Sequence, residues 1–214
     1  MEITKIVEGL WGSKWSPSVD LEPDNMCATS LLEHSHLVAD RFPENSFYLD
    51  RFPLQIKDQS AFEKVNIFFD KTDDFPDLLP LYLREEEKFK QVLRKLWVYN
   101  SVWIETSLPS VNEEIVVDTL NSDSQKIRLK EIHSQLKASG SKSMKLANLH
   151  DFEIFVELGL REKVSTVFIF EDMKICVWSN FDFSLPLYSK DEKYTQLLQK
   201  ICTTEGIFLR SLND

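Results

Sequence analysis

VSTVFIFEDMKICVWSNFDFSLPLYSKDEKYTQLLQKICTTEGIFLRSL, residues 164–212, decides the fold. Val167 to Phe170 and Ile175 to Trp178 are short β-branched and aromatic runs on either side of the polar Glu171 to Lys174, the pattern of an antiparallel hairpin. Tyr194, Leu197, Leu198, Ile201 and Cys202 then recur at helical spacing, and Gly206 stops them. Ile207 to Leu212 is strand-like again. The stretch therefore predicts a ββαβ unit that upstream layers pack against.

Those layers alternate in type. Ile3, Ile6, Val7, Leu10 and Trp11 fall on one helical face that ends at Gly12. Ser13 to Pro23, with two prolines, is a covering loop, and Asp24 caps a short helix through Ala28, Leu31 and Leu32. Ser46 to Ile56 is aromatic and aliphatic and predicts a strand, with Pro53 favouring an edge or a bulge because it brings no ladder donor. Ser60 and Glu63 make a capping box ahead of Phe62, Val65 and Phe69, which favours a helix over the alternation of Val65, Ile67 and Phe69. Lys71 to Leu81 is a loop. Glu85 to Asn100 is a helix with the stripe Phe89, Val92, Leu93, Leu96 and Trp97, its three leading glutamates at the positive end of the dipole.

Val102 to Leu108 predicts a strand. Ser122 and Gln125 cap a helix whose apolar face is Leu129, Ile132, His133 and Leu136. Ser139 to Ser143 is the one Gly/Ser-rich break and the only place for a domain boundary. Asn148 caps a helix through Phe152, Phe155, Val156 and Leu158, with Gly159 and Leu160 as its stop. The fold class that follows is α+β: a single domain, residues 1–214, with a mostly antiparallel or mixed sheet covered by amphipathic helices.

Composition narrows the compartment and the partners. At 43% apolar residues the chain is too hydrophobic to stay disordered. No apolar run reaches the roughly 20 residues of a membrane span. The start, MEITKIVEGLW, has acidic residues where a signal peptide has basic ones, so the expectation is a cytosolic protein without membrane contact. Cys27, Cys176 and Cys202, odd in number and widely spaced, read as buried thiols. A net charge of −10 disfavours nucleic acid and favours a basic partner. The charge is uneven: Asp58 to Glu87 holds nine acidic residues against three basic, while Lys126 to Lys145 holds six basic against one acidic.

Motifs with chemistry are few. His34 and His36, with Asp40, form an HxH pair that could share a metal on a strand but not on a helix. Glu171, Asp172 and Lys174 resemble the acid-x-lysine step of metal-dependent nucleases, yet fall where a hairpin turn wants polar residues anyway. His150 and Asp151 are adjacent, so on a helix they diverge and make no dyad. Lys126, Arg128, Lys130, Lys137, Lys142 and Lys145 would serve a nucleic acid only if they shared one face. Trp178, Asn180, Phe181, Asp182 and Phe183 have the composition of an interface hot spot or, more plainly, of a core.

The function expected from these residues is non-catalytic: a protein-binding domain of the immunity or antitoxin type that occludes a basic, toxin-like partner. Asp70, Asp73, Asp74, Asp77, Trp178, Phe181 and Asp182 are its expected contacts, with no cofactor and no metal. The alternative is a metal-dependent enzyme using His34, His36 or Asp172.

Overall fold

A computed structural model describes residues 2–11, 31–33, 35–179 and 183–212 of the chain. Among them, eight helices, α1 (Glu2–Trp11), α2 (Ser35–Arg41), α3 (Gln59–Val65), α4 (Leu79–Val98), α5 (Glu113–Asp118), α6 (Asp123–Ser139), α7 (Leu149–Leu160) and α8 (Glu192–Glu205), accompany seven strands. The strands are β1 (Ser46–Asp50), β2 (Val102–Thr106), β3 (Ser143–Leu146), β4 (Thr166–Phe170), β5 (Ile175–Ser179), β6 (Ser184–Ser189) and β7 (Phe208–Ser211).

These strands form one sheet in the order β3-β2-β4-β5-β6-β1-β7. Every neighbouring pair is antiparallel. The fold is thus α+β, as its sequence predicts. The quoted stretch holds one strand more than expected: β4, β5 and β6 form a meander before α8. That helix leads to β7, which pairs with β1 and not with β6, so β1 lies between two strands that run parallel to each other.

Side-chain alternation explains why the sheet needs cover on both sides. Phe168, Phe170, Ile175, Val177, Leu185 and Leu187 point into the larger core under α4, α6, α7 and α8. Val167, Ile169, Cys176, Trp178 and Tyr188 point the other way, into a second core closed by Val7, Leu10 and Trp11 of α1 and by Leu31 and Val38. Both faces of β4 and β5 are buried along their whole length. This accounts for the unbroken apolar runs VFIF and ICVW. No helix among the described residues is long and apolar enough to cross a membrane.

Several elements depart from their sequence-based bounds for local reasons. β1 stops at Asp50, whose Oδ1 accepts the Phe52 N–H at 2.9 Å and turns the chain. Pro53 is therefore outside the ladder, and β1 is the sheet's second strand from one side, not its edge. Asp58, not Ser60, caps α3: its Oδ1 takes the Ala61 N–H at 2.7 Å and the Ser60 hydroxyl at 2.7 Å. Lys71 to Leu81 is not simply a loop. It holds 3-10 turns at Phe69–Thr72 and Pro76–Leu78, and α4 already starts at Leu79, with Pro80 in its first turn, where no N–H is required.

The three glutamates consequently fall beyond the first turn of α4, with Glu85 and Glu86 buried. The Ser122 hydroxyl pairs with Ser124 Oγ at 2.8 Å and makes no cap bond to the backbone. Gly140, at φ +63°, ends α6 in the left-handed conformation, and β3 starts at Ser143 after a short connection. Gly159 is not the stop of α7: Glu162 takes the left-handed conformation instead, at φ 56°, and Lys163 N–H donates back to Leu158 O at 2.9 Å. The expected covering loop at 13–23 and the short helix capped by Asp24 lie outside the described residues, apart from Leu31 and Leu32.

Candidate functional site

The acidic segment singled out by charge is a shaped surface. Between Phe69 and Arg84 the chain makes two 3-10 turns and enters α4. Asp70, Asp73, Asp74 and Asp77 are all exposed on it. Asp70 pairs with Lys163 Nζ. Asp73, Asp74 and Asp77 have no ion-pair partner among the described residues. Interleaved with them are apolar side chains that face solvent: Phe75 is 60% exposed, and Leu79, Leu81 and Leu83 are exposed as well. The two turns open with Phe69 and Pro76, and the lack of a second buried stripe in Leu79–Leu83 leaves these leucines outside the core. Tyr82 alone in this run turns inward.

Tyr82 is the peg that holds the surface in place. Its hydroxyl donates to Leu160 O at 2.8 Å, and its ring packs against Phe69 at 5.3 Å and Phe183 at 4.8 Å between centroids. Phe69 also lies over the Arg161 guanidinium, 4.8 Å from ring centre to Cζ. Thr72 Oγ1 donates to Phe69 O at 2.6 Å, and Phe75 N–H to Lys71 O at 3.0 Å, which closes the turns.

Beneath Phe69 sits a buried ion cluster. Arg161, 2% exposed, donates Nε and Nη2 to the two oxygens of Glu86 at 2.7 and 3.1 Å. Its Nη1 reaches Glu157 Oε1 at 2.6 Å and Thr119 O at 2.7 Å. Lys90 lies 3.4 Å from the other oxygen of Glu157. Two carboxylates are thus met by two cations. Burial pushes the Glu86 carboxyl above its usual range and Arg161 draws it part of the way back. For Arg161 burial acts downward, but the hydrogen bonds and charges of Glu86 and Glu157 outweigh it and the guanidinium stays firmly charged. With every partner matched, the cluster is a structural clamp that ties α4 to α7.

The remaining sequence candidates scatter. Trp178 is 2% exposed, and its indole N–H donates to Leu31 O at 2.8 Å in the second core. It offers no surface to a partner, so the core-filling reading holds for it. It also lies on the opposite face of the sheet from the core under α4, and is not brought together with the aspartates. Phe181, Asp182, Asn180 and His34 lie outside the described residues. His36 is exposed on α2. Asp172 Oδ2 accepts the Ser101 N–H at 2.7 Å, a tie between the hairpin turn and β2.

His150 is exposed, whereas Asp151 is buried and accepts Arg128 Nε and Nη2 at 2.8 and 2.9 Å, so no dyad forms. His133 is a core histidine, its Nδ1 2.9 Å from Glu113 Oε2. Burial raises the thiol of Cys176, and it raises that of Cys202 to about 12, so neither supplies a thiolate near neutral pH. Among the described residues no three His, Cys, Asp or Glu side chains converge as metal ligands.

Sequence reasoning missed two features. One is the apolar half of the Asp70–Leu83 surface, whose only trace was the Phe-Pro and Leu-Leu-Pro-Leu pattern inside a polar stretch. The other is a cleft of about 500 Å³ where the end of β1 meets β7, lined by Tyr48, Asp50, Arg51, Ser184 and Arg210. It left no local signal, because its residues come from three distant segments.

The fold and this surface define an α+β protein with a two-sided antiparallel sheet and an acidic, apolar projection. No known protein family, curated protein or solved structure matches the chain.

Proposed function

We propose that the protein is a non-catalytic binding module that covers a basic, toxin-like protein partner with its Asp70–Leu83 surface, in the manner of an immunity protein or antitoxin. One observation carries this reading: exposed carboxylates and exposed large apolar side chains alternate on a segment that is held rigid. Carboxylates at the rim steer a cationic partner and set its register. A solvent-facing aromatic such as Phe75 supplies the desolvated anchor that dominates most interfaces. Because Tyr82, Phe69 and the Arg161 cluster already fix the segment, association costs little ordering entropy.

The test is retention of a host protein by the immobilised chain at low salt, compared across two variants. Phe75→Ala should weaken retention roughly tenfold or more, since truncating an anchor costs on the order of 2 kcal/mol. Asp73→Asn combined with Asp74→Asn and Asp77→Asn should weaken it as well. Both variants alter exposed side chains, so each keeps the parent's melting temperature. A basic partner held equally well by the parent and both variants would move the interface elsewhere and remove this reading.

A further inference from the structure

The cleft between β1, β7 and the Arg51–Asn66 segment contains a guanidinium that is fixed but not used up. Arg210, 7% exposed, donates Nε and Nη2 to Asp50 Oδ2 at 3.3 and 3.0 Å. Its Cζ lies 4.7 Å from the centre of the Tyr48 ring. Asp50 is itself anchored: Oδ2 also takes the Ser184 hydroxyl at 2.9 Å and Oδ1 the Phe52 N–H at 2.9 Å. Held along one edge and stacked on one face, this guanidinium cannot turn.

A guanidinium carries five N–H donors in a planar fork. Asp50 occupies the edge made by Nε and Nη2. The end-on edge of Nη1 and Nη2 makes no hydrogen bond among the described residues, and Arg210 lines the cleft. Two parallel N–H groups at such an edge match the two oxygens of a carboxylate. Among the described residues Arg210 and Asp50 form the polar floor of this lining. Around the charged floor are flat and apolar side chains: Phe62, Phe183, Ile56 and, at 64% exposure, Leu54. A volume of about 500 Å³ lies within the range of small-molecule sites.

We infer that this cleft binds a small molecule carrying a carboxylate on a flat, unsaturated ring, with the carboxylate on the Nη1/Nη2 edge of Arg210 and the ring between Phe62 and Leu54. A phosphate dianion fits less well, because Asp50 stands in the same lining and repels a double charge more than a single one. The site stands whether or not the Asp70–Leu83 surface binds a protein.

Titration of the full chain with benzoate, benzamide and inorganic phosphate, followed by ligand-observed magnetic resonance, tests it. Benzoate should bind saturably and at least tenfold tighter than benzamide, which has the ring without the charge; phosphate, the charge without the ring, should not displace it. Leu54→Asp changes an exposed side chain, leaves the fold intact by circular dichroism, and should weaken benzoate at least tenfold. Arg210→Lys keeps a cation beside Asp50 but removes the planar edge, and should weaken it comparably. Absence of saturable benzoate binding, equal affinity for benzamide, displacement by phosphate, or indifference to Leu54→Asp would each overturn the inference.

Discussion

At Gly159 the last turn of α7 touches β5 so closely that a Cβ built there would lie 2.2 Å from Ser179 Oγ and 2.6 Å from Ser179 Cβ. Ser179 cannot retreat, since its hydroxyl donates to Thr166 O at 3.0 Å inside the sheet. Gly159→Ala should therefore lower stability by about 1–3 kcal/mol, the usual cost of overpacking. Ser179→Gly in the same chain should recover part of it, and urea unfolding of the single and double variants measures both. An unchanged midpoint for Gly159→Ala would mean that helix and strand are not in contact. Arg161 poses the opposite problem, a charge whose removal strands its partners. Arg161→Met should cost about 3–5 kcal/mol at pH 7, because Glu86 is left buried and unpaired. Burial raises the Glu86 carboxyl above its ordinary value of 4.5. The folded state then holds that proton more tightly than the unfolded chain does, so stability falls as pH rises through the window above 4.5. The variant's deficit should shrink at pH 5, where Glu86 is free to keep its proton; denaturation at pH 5 and pH 7 gives the comparison, and an equal deficit at both would refute the charge account.

Whole elements stand or fall on their ends. Asn148 Oδ1 accepts the Asp151 N–H at 2.8 Å, and its amide donates to Asp151 Oδ2 at 3.1 Å. Asn148→Ala should cost about 1 kcal/mol, seen as a fall of roughly 2–4 °C in melting temperature. A thermal scan checks it, and an unmoved midpoint would show that α7 is held by its packing alone. The cap was legible in the sequence because Asn148 precedes a dense apolar helix, and α1, α6, α8 and the β4–β5 hairpin were legible for the same reason of strong period. β3 was not. Ser143–Leu146 is four residues long, buries only Leu146, and exists because β2 pairs with it. The early start of α4 was hidden by Pro80, which reads as a breaker but is harmless in a first turn. In the candidate site, four aspartates were legible from charge density alone. The exposed Leu79, Leu81 and Leu83 were not, since nothing in their type separates them from the buried Leu93 and Leu96. Trp178 was placed at an interface by composition, whereas the sheet's second covered face absorbs it.

The molecule as a whole sorts its charge. The Asp70–Leu83 surface is acidic, while Lys130, Lys137, Lys142 and Lys145 are exposed on α6 and around β3. Against a basic partner, the rate of association should fall as salt rises, because screening shortens to about 10 Å at 0.1 M. Phe75→Ala should instead speed dissociation and leave that salt slope alone. Stopped-flow mixing at several ionic strengths separates the two, and a salt-independent rate would exclude steering by the aspartates. The sheet divides the interior as well. Trp11, Trp103 and Trp178 belong to the core on the α1 side, while Trp97 packs at the margin of the other. Three of the four indoles among the described residues, those of Trp11, Trp103 and Trp178, therefore report on that side of the sheet, and opening that core would draw ultraviolet emission to longer wavelength, giving that half its own optical signature.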